Sequence, residues 1–395
     1  MVEKNLNFDE YIDRKNTGSL KYDFAVKRGK PVDVLPLWVA DMDFKTSSCI
    51  LEKLQEKVSH GIFGYTEAEE GYFQALSGWL YNRHGLKIEE DWIVKTPGIV
   101  FALAMAVKAF TSEGDAVLIQ QPVYYPFSEV ITDNNRVVVS NDLVLTEEGK
   151  YVIDFELLEN QVIENKIKLF FLCSPHNPVG RVWTVEELHK IAEICIKHNV
   201  IIVSDEIHED FVYTGYKHTP TLNVDERLKK LCITCTSPGK TFNLAGLQIS
   251  NIIIPDEDLR NAFKKQIDAA GYSQLNTMGI VACEAAYRYG GEWYEALKKY
   301  LEKNLNFLRE YLKDNIPKIK LIEPQGTYLV WLDFRELGLK EEELEDLIVN
   351  RAKLWLDSGA IFGNIGQGFE RVNIATNTKV LKEALDRIKD AAERL

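Results

Sequence analysis

From residue 92 onward, short runs of hydrophobic residues alternate with longer segments in which hydrophobic positions recur every three or four residues. The short runs are DWIVKT, DAVLIQ, NRVVVS, KIKLFFLCS, VIIVSDE, KLCITCTS and ISNIIIP. Strands that are apolar on both faces and separated by helices form a mostly parallel sheet that helices cover on both sides. The pattern therefore predicts an α/β fold of three layers, built on a mostly parallel sheet.

One helix is clearly marked, in the segment TVEELHKIAEICIKHN. Thr184 and Glu187 form a capping-box pair just before hydrophobic residues at helical spacing. This helix start places the segment CSPHNPVGRVW in a loop between a strand and the helix. Because ligands of open α/β sheets bind at the carboxyl ends of the strands, such loops are where candidate chemistry is expected.

The pattern changes beyond about residue 290. Three helical patterns, EWYEALKKYLEKNLNFLREYLKDN, EEELEDLIVNRAKLWL and KVLKEALDRIKDAAERL, flank the apolar runs GTYLVWLDF and RVNIAT. We therefore predict a large domain over residues 46–290 and a smaller α+β domain over residues 291–395. Residues 1–45 show no strong period and are predicted to pack against both domains. No linker rich in proline or glycine separates the domains, so an extended interface is expected.

Composition limits the classes of partner. The 395 residues carry a net charge of −13, which opposes nucleic-acid binding because that function needs a basic face. The start of the chain lacks the apolar core of a signal peptide, and the most apolar long stretch, IVFALAMAVKAF, is too short to span a bilayer. The six cysteines are scattered through apolar segments, as expected of reduced, buried thiols. We therefore expect a cytoplasmic protein with no membrane or nucleic-acid partner.

Two groups of metal-ligand residue types were considered as metal sites. Cys232 and Cys235 form a C-x-x-C pair, but there is no second pair at a similar spacing. The segment DEIHED contains Glu206, Glu209 and Asp210 with a histidine, yet neighbours on a strand point to opposite faces and no second histidine follows at helical spacing. The sequence therefore predicts no metal site.

The segment SPGKTFNLAGL carries a lysine in apolar surroundings. Its triplet Gly239, Lys240, Thr241 resembles the end of a nucleotide-binding loop, but the glycine required five positions before the lysine is Thr234. A lysine in an apolar site loses its proton more easily and can form a Schiff base, whereas most lysines are solvated on the surface. We interpret Lys240 as a reactive amine.

Two further features are candidate binding sites near Lys240, one for an anion and one for a cation. In VKTPGIVFALA, a helix begins near Gly98, Ile99 and Val100, whose free N–H groups are able to bind a phosphate; an ordinary turn is the alternative. Asp205 ends the strand VIIVSDE and, when ionised and buried, needs a cationic partner such as a protonated ring nitrogen.

Two more side chains complete the set. Asn177 in SPHNPVG is able to donate to a phenolic oxygen, although turn chemistry alone explains an asparagine before proline. Arg371 in GNIGQGFERVNIAT offers a planar fork for a carboxylate, although a surface ion pair is the alternative. A phosphate site, a carboxylate for a ring nitrogen, an amide, a Schiff-base lysine and a carboxylate fork together match one cofactor, pyridoxal 5′-phosphate.

The motifs NPVGRVW, SDEIH and SPGKTFNLAGL resemble, in order and spacing, those of the fold-type-I pyridoxal phosphate enzymes of aminotransferase class I/II. The resemblance covers roughly residues 30 to 390. More narrowly, LPLWVADMDF, FGYTE, QPVYYPF and SDEIHED resemble the MalY/PatB-type cystathionine β-lyases, also called C–S lyases. The resemblance implies an aspartate aminotransferase-like fold and bound pyridoxal 5′-phosphate.

The resemblance also implies roles for individual residues. Lys240 would form the Schiff base with the cofactor and act as the catalytic base. The implied cofactor contacts are Tyr65, Gly98, Ile99, Val100, Tyr124, Asn177, Asp205, His208, Ser237 and Lys240. Arg371, with Asn177 and Tyr124, would bind the substrate. Tyr65 resembles the tyrosine that reaches the cofactor phosphate of the neighbouring subunit, which implies a homodimer with shared active sites.

By this resemblance the chain is expected to eliminate a thiol from cystathionine or related cysteine conjugates, releasing pyruvate and ammonia. Two positions depart from the wider aminotransferase pattern. Gln248 stands where many relatives carry a phosphate-binding arginine, and His208 stands where many carry a tyrosine near the cofactor. Both departures agree with the lyase subgroup. An aminotransferase, and a regulatory binding protein that retains the cofactor site, are the alternatives.

Overall fold

The computed structural model describes residues 6–395, and a seven-stranded sheet lies at its centre. The strands are β1 Ile93–Thr96, β2 Ala116–Ile119, β3 Val137–Ser140, β4 Leu169–Cys173, β5 Ile201–Asp205, β6 Cys232–Thr236 and β7 Ser250–Ile253. Their order in the sheet is β1-β7-β6-β5-β4-β2-β3. Strand β7 is antiparallel to both of its neighbours, and the other adjacent pairs are parallel. The predicted mostly parallel sheet is confirmed.

Helices cover both faces of this sheet. Within the described residues, the helices of eight residues or more are α1 Ser48–His60, α2 Glu70–His84, α3 Ile99–Phe110, α4 Pro126–Asp133, α5 Phe155–Glu164, α6 Val185–His198, α7 Glu257–Ala269, α8 Thr277–Tyr289, α9 Gly291–Asn315 and α10 Thr378–Ala392. Neighbouring residues of β4 point to opposite faces of the sheet and belong to two separate hydrophobic cores. Phe170 shares one core with Ile191 of α6, and Phe171 packs against Phe127 of α4 in the other. The predicted three layers follow from this alternation.

The predicted helix start at Thr184 is confirmed. The Thr184 side chain accepts a hydrogen bond from the Glu187 N–H at 3.2 Å, and the Glu187 carboxylate accepts one from the Thr184 N–H at 2.8 Å. This reciprocal pair satisfies two N–H groups that have no partner within the helix. The loop before it is therefore held at the carboxyl end of β4.

A second, antiparallel sheet forms beyond residue 290. Its strands are β8 Lys320–Ile322, β9 Leu329–Asp333, β10 Asp357–Ser358 and β11 Phe369–Asn373, in the order β8-β9-β11-β10. The prediction of one long helix over EEELEDLIVNRAKLWL is wrong in its second half. The helix Glu341–Glu345 continues as a wider π-turn over Asp346–Arg351, and the backbone at Lys353 has a left-handed φ of 54°. The strand Leu354–Trp355 then pairs with Leu35–Pro36, a partner that helical periodicity cannot reveal.

The N-terminal segment contacts several elements of the molecule. The ring of Phe8 packs edge-on against Trp293 of α9, with ring centroids 5.8 Å apart. The backbone carbonyl of Ala40 accepts a hydrogen bond from Lys240, and the carbonyls of Val39 and Asp41 accept hydrogen bonds from Asn373 of β11. The domain limits at residues 45 and 290 stay a prediction.

Two further features bear on expectations from the sequence. All six cysteines lie within the described residues, and each is a buried free thiol, as predicted. In this same part of the chain, no helix combines the length and the apolar character needed to cross a membrane.

Candidate active site

A cavity opens at the edge of the central sheet where β1, β4, β5 and β6 have their carboxyl ends. Nine of the predicted site residues line it: Gly98, Ile99, Val100, Tyr124, Asn177, Asp205, His208, Ser237 and Lys240. The parallel strands bring these residues together although they span more than 140 positions of the sequence. The cavity is therefore the candidate active site.

Helix α3 presents its N-terminus to this cavity. The helix begins at Ile99, and no side chain among the described residues caps its first turn. The first intrahelical bond of α3 runs from the Ala102 N–H to the Gly98 carbonyl, so the N–H groups that precede it have no partner within the helix. A side chain at Gly98 would meet nothing within 4 Å, so the space in front of the helix is open. These features suit an anion of phosphate size.

Ser237 borders the same space at the end of β6. Its hydroxyl accepts a hydrogen bond from the Gly239 N–H at 3.0 Å and thereby caps the short helix Pro238–Thr241. The hydroxyl also donates to the Ile249 carbonyl at 2.7 Å. To donate to a phosphate, this hydroxyl would have to turn away from Ile249.

Lys240 is partly buried, and its amine points toward the N-terminal segment. Nζ donates a hydrogen bond to the Ala40 carbonyl at 2.7 Å. Burial lowers the pKa of Lys240 to about 8; Arg371 acts in the same direction, while Asp41 and Asp205 oppose the shift. With this pKa about a tenth of the amine is uncharged at pH 7, far more than for an ordinary lysine. The uncharged amine is the form that attacks carbonyl groups and accepts protons.

Asp205 occupies the last position of β5. Burial raises the pKa of its carboxyl group to about 7, although the Ile207 N–H bond and the positive charge of Lys240 oppose this shift. The Ile207 N–H donates to Oδ1 at 3.2 Å. A carboxylate that has lost most of its hydration gains strongly from a bound cation, such as a protonated ring nitrogen.

Arg371, predicted to bind the substrate, is not among the residues that line the cavity, but it contacts Asn177, which is. Its Nη1 donates to the Asn177 Oδ1 at 3.0 Å, and its Nη2 donates to the Trp38 carbonyl at 2.8 Å and to Asp357. The guanidinium carbon lies 4.9 Å from the centre of the Phe362 ring. Four groups therefore fix the orientation of one side chain.

His208 also lines the cavity, where it is uncharged. Burial lowers the pKa of His208 to about 3, and the charges of Lys240 and Arg371 contribute. Its ring lies 5.9 Å from that of Tyr328, whose hydroxyl donates to the Ala40 carbonyl at 2.9 Å. The Ala40 carbonyl thus accepts hydrogen bonds from two side chains, Tyr328 and Lys240.

Two further residues lie outside the cavity: Tyr65, a predicted cofactor contact, and Gln248, which departs from the wider aminotransferase pattern. Tyr65 is 95% exposed, so the single chain does not bring it to its own cavity. Gln248 is also exposed and has a left-handed φ of 53°, and it is not part of the cavity wall. A contact from Tyr65 to a cofactor would have to be made in a second copy of the chain.

Four residues that contact Lys240, Arg371 or their partners were not predicted: Trp38, Ala40, Tyr328 and Asp357. Trp38 and Ala40 belong to LPLWVADMDF, a motif that carried the family resemblance without any assigned role. Their backbone carbonyls make the contacts, so side-chain chemistry gave no indication of them. For Asp357 and Tyr328 the sequence contained no comparable indication.

Comparisons with known proteins agree with this geometry. Residues 32–388 match the family model of aminotransferase class I and II. The chain is 43% identical over 386 residues to cystathionine beta-lyase PatB of Bacillus subtilis, covering 98% of this chain and 100% of that protein. It is 32% identical over 369 residues to protein MalY of Escherichia coli, covering 93% and 94% of the two chains.

Two solved structures are similar over nearly the whole chain. Cystalysin of Treponema denticola, which contains a pyridoxal 5′-phosphate cofactor, matches with a TM-score of 0.95 and 40% identity over 98% of this chain and 99% of that one. The pyridoxal phosphate-bound C–S lyase of Staphylococcus hominis matches with a TM-score of 0.91 and 33% identity over 98% of both chains. The resemblance read from the sequence motifs is thereby confirmed, and the chain belongs to the class I and II aminotransferase family.

Proposed function

We propose that this chain is a pyridoxal 5′-phosphate-dependent C–S β-lyase. Its substrates would be cystathionine or related cysteine S-conjugates, and its products a thiol, pyruvate and ammonia; cystathionine would give homocysteine. The observation that carries the proposal is the meeting of Lys240, Asp205 and the free start of α3 in one cavity. Similarity to proteins named cystathionine beta-lyase and C–S lyase supports this choice of reaction.

The residues of the cavity fit this cofactor. The N–H groups at the start of α3 and the open space at Gly98 suit its phosphate, and Ser237 stands beside them. Asp205, whose pKa burial raises to about 7, suits its protonated ring nitrogen. Asn177 and Tyr124 border the space for the ring, and the Lys240 amine would form the covalent link.

When bound, pyridoxal 5′-phosphate supplies an electron-withdrawing ring that stabilises negative charge at the substrate Cα. Lys240, with its pKa lowered to about 8 chiefly by burial, would take the Cα proton on Nζ. The Cβ–S bond then breaks and the sulfur leaves as a thiolate. Addition of water to the remaining three-carbon unit gives pyruvate and ammonia.

Arg371 would hold the substrate during these steps. Its guanidinium is fixed next to Asn177, and the N–H groups left on Nε and Nη1 are able to donate charge-assisted hydrogen bonds to a carboxylate. A carboxylate held there orients the Cα–H bond with respect to Lys240. Amino acids with a free α-carboxylate are therefore the proposed class of substrate, and the similarity to C–S lyases supports a sulfur on Cβ.

The proposal includes a homodimer in which each subunit completes the other's site. Tyr65 is 95% exposed, and the nearby Ile62 and Phe63 are 67% and 58% exposed. Exposed apolar residues grouped in this way are typical of a protein contact surface. A cytoplasmic location is also part of the proposal, because six free thiols suit a reducing compartment.

The test is to incubate the holoenzyme with cystathionine in the absence of any keto acid. Equal amounts of pyruvate and homocysteine are expected, and Lys240→Ala should produce neither. If turnover strictly requires an added keto acid, the protein is an aminotransferase. If the holoenzyme converts cystathionine neither with nor without a keto acid, the lyase proposal fails and a binding role gains support.

A further inference from the structure

Five ionisable side chains meet outside the cofactor cavity, beneath the short helix that carries Lys240. His84 comes from the last residue of α2, and His218 comes from the segment that follows the carboxylates in the chain. The three carboxylates belong to the chain just beyond β5: Glu206, Glu209 and Asp210. All five side chains are at least nine-tenths buried.

The sequence argument against a metal site assumed that a strand continues through these carboxylates. The structure shows that β5 ends at Asp205 and that residues 207–210 form a turn. The Glu209 N–H donates to the Glu206 carbonyl at 2.9 Å, which closes this turn. Glu206, Glu209 and Asp210 therefore converge, and the two histidines come from distant parts of the sequence.

Two of the carboxylates each have an imidazole partner. The His84 Nε2 lies 2.9 Å from the Asp210 Oδ1, and the His218 Nε2 lies 3.0 Å from the Glu206 Oε2. The two imidazole rings meet edge to face, with centroids 5.5 Å apart. The pairs are thus adjacent parts of one cluster.

Glu209 is the third carboxylate and has an atom without a partner. Its Oε1 accepts a hydrogen bond from the Thr236 hydroxyl. Its Oε2 is buried and has no hydrogen-bond partner among the described residues, as is also the case for the His218 Nδ1. If Glu209 is ionised, no group within residues 6–395 donates a hydrogen bond to Oε2, and if Oε2 carries a proton, no group there accepts it. Neither charge state therefore gives Oε2 a hydrogen bond within this part of the chain.

The distances place Glu209 at the centre of two possible ligand sets. One ligand atom each from His84, Glu209 and Asp210 lie within 4.8 Å of one another, and the same holds for Glu206, Glu209 and His218. We propose that this cluster binds one divalent transition-metal ion, with Glu209 as the ligand shared by both sets. The ion would give the unpartnered Oε2 of Glu209 its missing interaction.

The ligand types narrow the choice of ion. Imidazoles suit Zn²⁺ and other late first-row ions, and carboxylates suit Mn²⁺, whereas sites for Mg²⁺ and Ca²⁺ use oxygen ligands. The ion would have a structural role, because it joins the end of α2, the turn after β5 and the segment of His218. Thr241, the neighbour of Lys240, donates to the Asp210 Oδ2 at 2.6 Å, so the site also supports the active-site helix.

The test uses the holoenzyme, dialysed with Zn²⁺ or with Mn²⁺ and then against metal-free buffer. Wild-type protein is expected to retain about one equivalent of one of these ions, and its melting temperature should rise when the ion is added. Glu209→Gln keeps the size of the side chain but removes the charge, so it should retain no more metal than chelator-treated wild type. Glu159→Gln is the control, because Glu159 bonds a histidine, His198, but no third metal-ligand residue among the described residues joins that pair.

A crystal of the metal-treated wild-type protein provides a measurement that does not depend on the variant's folding. An anomalous peak within bonding distance of the Glu209 Oε2 would support the site. Metal retained equally by wild type and Glu209→Gln, no retained metal, or a peak only elsewhere would each overturn the proposal. None of these readouts depends on lyase activity.

Discussion

Arg371 and Asp357 stand directly opposite each other on the antiparallel strands β11 and β10, and the guanidinium Nη2 donates a hydrogen bond to the Asp357 Oδ2. The two side chains are 3% and 8% exposed. Burial raises the pKa of Asp357, while Arg371 acts to lower it. The candidate carboxylate-binding arginine is therefore oriented by a buried acid that lies outside the cavity wall.

Replacing Asp357 by asparagine keeps the shape of this contact but removes its charge. The guanidinium loses one charge-assisted bond, so we expect the KM for cystathionine to rise about tenfold. The kcat should change less, because Asp357 makes no contact with Lys240. Steady-state pyruvate formation measures both constants. Asp333→Asn, which breaks an exposed pair with Arg335, is the control and should change neither; a fall in kcat at unchanged KM would contradict the positioning role of Asp357.

The lowered pKa of Lys240 predicts how fast the apoprotein captures its cofactor. Only the neutral amine forms a Schiff base, so the rate should rise with pH around a midpoint near 8, where burial places the pKa of Lys240. A lysine at its ordinary pKa would give a midpoint more than two pH units higher. Stopped-flow absorbance after mixing apoprotein with pyridoxal 5′-phosphate follows this step. A rate that still climbs steeply above pH 10 would disprove the shift, and Lys240→Ala should show no such phase.

Asp205 should destabilise the apoprotein at neutral and alkaline pH. Burial raises the pKa of Asp205 from 3.8 to about 7, so the folded state holds this proton more tightly than the unfolded chain. The resulting stability is fully present below about pH 4 and is lost as pH rises through 7. Asp205→Asn carries no such charge and should be more stable than wild type at pH 8, by about 4 kcal/mol at most.

Urea unfolding of both apoproteins at pH 5 and pH 8 checks this prediction. At pH 5 the carboxyl is largely protonated in the folded state but mostly ionised in the unfolded chain, so the difference between the two proteins should be clearly smaller than at pH 8 without being absent. The same variant should bind pyridoxal 5′-phosphate more weakly, because the ring nitrogen loses its anionic partner. A stability difference that does not grow between pH 5 and pH 8 would show that Asp205 is not the responsible group.

The sequence predicted the parts of the site that sit at strand ends. Asp205 ends an apolar strand, Ser237 directly follows one, and Gly98 precedes a helix, so local patterns located them. Asp357 was not predicted, because it lies opposite Arg371 only through the pairing of β10 with β11. The long helix predicted through Leu354 failed for a similar reason, since its strand partner is more than 300 residues away. Contacts between distant segments leave no periodic pattern in one sequence.

The proposed sharing of active sites between subunits can be tested by combining two damaged chains. Tyr65→Ala would impair the partner's site, and Lys240→Ala would inactivate its own. In a mixed dimer, the chain that keeps Lys240 receives Tyr65 from the other subunit, so one of the two sites is native. We expect each parent dimer to be weak or inactive and the purified mixed dimer to show about half of wild-type activity.

Two different affinity tags, one on each chain, allow the mixed dimer to be isolated after co-expression. The matched control combines a Lys240→Ala chain with an Asp205→Asn chain, and each of these changes damages the cavity of the chain that carries it. Both sites of that mixed dimer remain damaged, so no activity should return. If the Tyr65→Ala pair also fails to recover activity, or if both pairs recover it equally, Tyr65 does not act across the subunit boundary. Its 95% exposure in the single chain would then require another explanation.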